Sequence, residues 1–142
     1  MSLILFLASD APLETVSNPH ATREIIIDMN TGAVNDGGFD DDFAIYDMDI
    51  RLGPDESLMD HRVVIECDLT LGRAKRILTY IRDQMENNEE IELWSVWLGE
   101  YDQRICYYDA HVNELTPEDL LEIAGLPIRE TPMRHHCVRI HK

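Results

Sequence analysis

Thr70-Leu71-Gly72-Arg73-Ala74-Lys75-Arg76 opens a stretch of helical apolar spacing, and its residue types suit an anion. A helix start presents unpaired N–H groups and the positive end of a dipole, and a capping Thr70 and a small Gly72 would leave room for a ligand. Arg73, Lys75 and Arg76 add cations where the dipole alone disfavours them, so something negative should compensate. Thr70, Gly72, Arg73, Lys75 and Arg76 are therefore a candidate site for a phosphate or carboxylate. Internal pairing competes with it, because Glu66, Asp68 and the acidic loop upstream supply carboxylates, and acids outnumber bases 28 to 12.

A second cluster lies at the C-terminal end, where His135, His136, Cys137 and His141 follow one another closely. On an extended chain His135, Cys137 and His141 share a face, and imidazole with thiolate suits Zn²⁺. His141 lies too far along to join without a bend, so a fourth ligand such as His111 would have to be imported. The alternative is a polar, partly basic sheet edge that discourages pairing with another molecule. A third cluster, Asp28, Asn30, Asp36, Asp40, Asp41 and Asp42, offers the hard oxygens that Ca²⁺ or Mg²⁺ takes. Gly32 and Phe39 stand where an EF-hand needs its fifth and twelfth ligands, and turn geometry selects the same Asp, Asn and Gly.

Other chemistry-bearing residues point to packing. Trp94 and Trp97 fall on opposite faces of a strand and cannot form one stacking platform, and Tyr107-Tyr108 beside Cys106 likewise serves two faces. Cys67, Cys106 and Cys137 are odd in number, widely spaced and without a CxxC pair, which fits reduced thiols in a cytoplasm. The chain carries no GxSxG, GxGxxG, Walker P-loop or HExxH sequence. It reads as a binding domain more readily than as an enzyme, although a catalytic pair assembled by folding would leave no such trace.

The elements that must position these residues follow from periodicity. Leu3 to Ala8 and Ile91 to Leu98 are apolar on both alternating faces, as central strands are. Further strands are expected at Glu24 to Asp28, Phe43 to Ile50 and Arg62 to Asp68, the last half exposed. Leu71, Ala74, Ile77, Leu78, Ile81 and Met85 predict a long helix that Asn87-Asn88 ends. Thr116, Pro117, Glu118 and Asp119 predict the start of a short helix that packs Leu120, Leu121 and Ala124 inward and closes at Gly125. A C-terminal edge strand would carry Val138 and Ile140 on one face with His136. The order lacks the βαβα rhythm of a parallel sheet, so an α+β fold is expected: a mostly antiparallel sheet of about six strands with one long and one short helix, in a single domain over residues 1–142.

Two segments, Leu5-Phe6-Leu7-Ala8-Ser9-Asp10-Ala11-Pro12-Leu13 and Glu92-Leu93-Trp94-Ser95-Val96-Trp97-Leu98-Gly99 with the later Leu115-Thr116-Pro117-Glu118-Asp119-Leu120, resemble a group of small uncharacterised bacterial proteins. A Gly-Cys-rich middle motif of that group is absent here. The resemblance implies a bacterial source and a shared fold; it assigns no residue a role.

The apolar fraction of 44% can offset the entropy of ordering, so the chain should fold. Its formal charge of −16 opposes phosphate backbones and anionic headgroups, which argues against nucleic acid and membranes. No apolar run reaches bilayer length, and the short one at Leu3 has no preceding cation to make it a signal peptide, so a cytoplasmic location is expected. The leading functional expectation is a small acidic binding or regulatory domain acting on a basic protein partner. Its rivals are a small enzyme or ligand sensor using the helix start or the His/Cys cluster, and a homodimer motivated by two strands apolar on both faces.

Overall fold

A computed structural model describes residues 2–20, 26–27, 34–35, 39–48, 59–66, 68–98, 104–129 and 134–142. The strands are β1 (Ser2–Ser9), β2 (Ile26–Ile27), β3 (Val34–Asn35), β4 (Ala44–Asp47), β5 (His61–Glu66), β6 (Glu90–Leu98), β7 (Ile105–His111) and β8 (His135–His141), with helices α1 (Leu71–Gln84) and α2 (Pro117–Arg129). Six strands form one sheet in the order β4-β5-β1-β6-β8-β7, while β2 and β3 pair separately. Every neighbouring pair in the larger sheet is antiparallel except β7 with β8. The fold is α+β.

β1 and β6 take the two central places because both of their faces are apolar. Leu7 aligns with Val63 on one side and Leu93 on the other, and these face the helices with Ile91, Val138 and Ile140. Ala74, Ile77, Leu78 and Ile81 of α1 and Leu120 of α2 complete that core. Phe6 and Trp94, register partners, stack on the opposite face at 5.9 Å, packed with Ala8, Val96, Cys137 and Met59. Phe6, Trp94 and Val96 are fully buried within the single chain. The middle of these two doubly apolar strands is thus covered on this face within one chain, while Ile4 is only partly buried.

Thr70 starts α1 in extended conformation, its hydroxyl accepting the Arg73 N–H at 3.2 Å. Asn88 ends it, donating to the Gln84 carbonyl at 3.1 Å while its Oδ1 accepts the Ala11 N–H at 2.9 Å. The chain leaving β1 is further tied to α1, since Tyr80 donates its hydroxyl proton to the Glu14 carbonyl at 2.5 Å. It then runs along β4, where Val16 and Ile45 exchange backbone hydrogen bonds of 2.8 and 2.9 Å. One sheet edge is therefore partly covered. The other, β7, has no outer neighbour among the described residues.

The sequence expectations need five corrections. β8 is an interior strand between β6 and β7, with His135 and His136 fully buried, so its histidines do not guard an edge. α2 continues past Gly125 to Arg129, because Leu121 and Ile123 pack against the core and outweigh the roughly 0.5–1 kcal/mol that a helical glycine costs. β5 is covered on both faces where Arg62, only 8% exposed, lays its guanidinium 5.7 Å from the Phe6 ring centroid. Leu71 is exposed at the first position of α1, while Arg73 takes the buried place. Finally, Ile26–Ile27, from the stretch expected over Glu24 to Asp28, pairs with β3 outside the main sheet; residues 24, 25 and 28 lie outside the described residues, as do 49, 50 and 67 of the next two expected strands.

Candidate functional site

At the α1 start, Arg73 is 1% exposed and turned inward. Its guanidinium donates to the Asp68 carbonyl at 2.7 Å and the Phe39 carbonyl at 3.0 Å, and it meets the Asp42 carboxylate at 3.3 Å. Asp42 also accepts from the Asn18 amide at 2.8 Å. A Cβ added at Gly72 would collide with the Asp40 carboxylate, which places that carboxylate against the first turn of a helix that carries no acid there itself. Lys75 and Arg76 point outward to solvent. Of the five residues expected to hold an anion, Thr70 caps the helix, Gly72 and Arg73 meet carboxylates of the chain itself, and of the three cations Lys75 and Arg76 are exposed. Internal pairing describes Arg73 and the surroundings of Gly72.

The acidic loop is engaged in the same contacts. Asp41 bonds to His20 Nε2 at 2.7 Å, and that hydrogen bond holds its carboxyl below the usual range. The His20 ring stacks on Phe39 with centroids 4.2 Å apart. Asp28, Asn30 and Asp36 lie outside the described residues.

At the C-terminal cluster, strand alternation places His135, Cys137 and His141 on one face, as expected, and His136 on the other. They remain dispersed along the strand. His135 Nδ1 accepts the Trp97 backbone N–H at 3.2 Å, and His141 meets Asp109 at 2.9 Å. Burial, reinforced by the nearby Glu92 carboxylate, raises the Cys137 thiol above its ordinary pKa and keeps it protonated, whereas a metal takes the thiolate. Among the described residues no group of three or more His, Cys, Asp or Glu is placed to hold a metal ion. His111 sits at the far end of β7, opposite His141.

The arrangement that stands out is the open edge. β7 runs parallel to β8 and presents Tyr107 and Tyr108, 41% and 40% exposed. Both rings are anchored: Arg139 lies 4.4 Å over the Tyr107 ring, and the Tyr108 hydroxyl bonds to His136 Nδ1 at 3.1 Å. Beside this edge a groove of about 260 Å³ separates β7 from α2. Ala110, Leu115, Ile123 and Val138 give it an apolar floor, and Asp109, Asp119 and Glu122 stand around it. α2 is held there by reciprocal capping, in which the Thr116 hydroxyl accepts the Asp119 N–H at 3.2 Å and the Asp119 carboxylate accepts the Thr116 N–H at 2.9 Å.

Sequence reasoning named none of the groove residues as a site. Tyr107 and Tyr108 were legible as a two-faced strand, but their exposure depends on β7 being outermost, which periodicity does not report. No protein-family model, curated protein or solved structure matches this chain.

Proposed function

We propose that the protein is an acidic binding module that captures an extended, basic segment of a partner protein, which adds to the sheet along β7. The observation that carries this reading is an edge strand of seven residues, without an outer neighbour among the described residues, lying beside an acid-rimmed apolar groove. Main-chain hydrogen bonds to such an edge supply affinity, and alternate side chains entering a groove supply selectivity. The fitting segment alternates an apolar residue, directed into the groove, with Lys or Arg near Asp109, Asp119 and Glu122. A second copy of the chain fits poorly, because its charge of −16 would meet the same charge edge to edge. Neither nucleic acid nor an anionic membrane surface suits that charge, and no helix among the described residues is long and apolar enough to cross a membrane.

The test is fluorescence anisotropy with a labelled ten-residue peptide of alternating Lys and Val. Binding should weaken by an order of magnitude or more as salt rises from low to physiological strength. Glu122→Lys should weaken it severalfold. N-methylation of alternate peptide nitrogens should abolish binding in one register and spare it in the other, because only one set of amides faces β7. Equal affinity for both methylated peptides would reject strand addition, and indifference to salt would reject the role of charge.

A further inference from the structure

The opposite flank of α2 borders a different space. A cavity of about 520 Å³ lies between α2 and the end of the sheet, with Leu121, Ala124 and Gly125 on the helix side and Leu3, Leu5 and Ile65 on the sheet side. Volumes of a few hundred Å³ lined mainly by apolar groups, with a few placed polar atoms, are characteristic of small-molecule sites. One such polar atom is the Ser95 hydroxyl. Ser95 lines the cavity and is 1% exposed, yet its Oγ has no hydrogen-bond partner among the described residues. A buried hydroxyl left without a partner costs on the order of 1–3 kcal/mol, so a ligand atom that met it would recover that loss.

The remaining polar lining is anionic. Glu66 and Asp68, both exposed, line the cavity together with Tyr46; strand alternation puts Glu66 and Tyr46 on the sheet face opposite Ser95, so they border the cavity past Leu5–Ile65, where the β1–β5 pairing ends. Distance between the two ends follows from strand register. Leu5 aligns with Ser95 on one side and Ile65 on the other, which puts Ser95 about two strand spacings, ~10 Å, from the β5 residue that precedes Glu66. The walls between them are Leu5, Ile65 and Leu69.

We infer that this cavity binds a small apolar amine carrying a hydroxyl or carbonyl oxygen at the end opposite its nitrogen. The oxygen meets Ser95 at the buried end, the apolar body lies against Leu5 and Ile65, and the ammonium group faces Glu66 and Asp68. The site is independent of the β7 groove, from which α2 divides it.

Tyramine has this pattern and is the probe, with phenethylamine lacking the hydroxyl and 4-hydroxyphenylacetate replacing the ammonium by a carboxylate. Titrations followed by two-dimensional ¹H–¹⁵N NMR should move the amide signals of Leu5, Ser95 and Ala124 on adding tyramine. 4-Hydroxyphenylacetate should bind at least tenfold more weakly. Ser95→Ala should weaken tyramine about tenfold and leave phenethylamine unchanged, while the melting temperature of the ligand-free protein stays the same or rises, because no hydrogen bond of the fold is lost. Ala124→Phe, which fills the cavity, should remove both amines. The inference is overturned if tyramine causes no saturable shift up to millimolar concentration, if its shifts map away from these residues, or if Ser95→Ala weakens both amines equally. Peptide binding along β7 should be unaffected by any of these ligands, so failure of one site leaves the other standing.

Discussion

Arg73 concentrates the physical logic of the chain. A guanidinium that is 1% exposed is tolerable because groups such as the Asp42 carboxylate and the Asp68 and Phe39 carbonyls surround it. Removing it strands Asp42, itself 7% exposed, without its counter-charge. Arg73→Ala should therefore cost about 3 kcal/mol in urea denaturation, whereas Arg76→Ala, at an exposed position, should cost little. A stability loss confined to Arg73 distinguishes a structural cation from one reserved for a ligand. Cys137 makes a second residue-scale case. Its folded pKa lies above the ordinary 9.0, so the neutral thiol contributes stability that is fully present below pH 9 and lost as pH rises above it, where the unfolded chain ionises first. Urea midpoints should fall between pH 8 and 10 in the wild type and fall less in Cys137→Ala, with Tyr80 adding a similar loss above its ordinary 10.0. Residue facing was legible from the sequence: the opposition of Trp94 to Trp97, and of His136 to its neighbours, follows from strand alternation alone. What Arg73 faces was not fixed by any local spacing, because Asp42 comes from 31 residues upstream.

At the scale of elements, α2 has the most to hold, since one flank borders the β7 groove and the other the Ser95 cavity. Its start was readable as Thr-Pro-Glu-Asp, and the reciprocal Thr116–Asp119 bonds realise that reading. Its end was not, because packing of Leu121 and Ile123 carries the helix through a glycine that local propensity would use as a stop. Thr116→Ala should lower stability by about 1 kcal/mol in urea denaturation. Because the cap orients the first turn, where Asp119 sits, the same variant should weaken the basic peptide along β7 more than it weakens tyramine in the cavity. The place of β8 escaped the sequence for a related reason. Its histidines look like an exposed polar edge, yet His135 is engaged by the Trp97 backbone and His136 by Tyr108, partners that strand order alone brings near.

At the scale of the molecule, a charge of −16 acts on the fold and on its partner with opposite sign. Within the chain the excess of acid is self-repulsion, only partly relieved by pairs such as Arg73–Asp42 and His20–Asp41. Salt screens that repulsion over a Debye length of about 10 Å at 0.1 M, which is shorter than most distances between charges on a domain of this size. The buried Arg73–Asp42 pair is screened far less, so raising salt removes more repulsion than attraction. The melting temperature should therefore rise as sodium chloride increases from about 10 mM to about 300 mM. Over the same range the affinity for the basic peptide should fall, because that attraction is intermolecular and largely exposed. Calorimetric melts and anisotropy titrations on one salt series check both. If the melting temperature falls along with affinity, attractive pairs dominate the folded surface, and the acid excess must be balanced internally instead of being available to steer a partner. Opposite slopes would mean that the unbalanced charge lies on the surface, where a basic partner can use it.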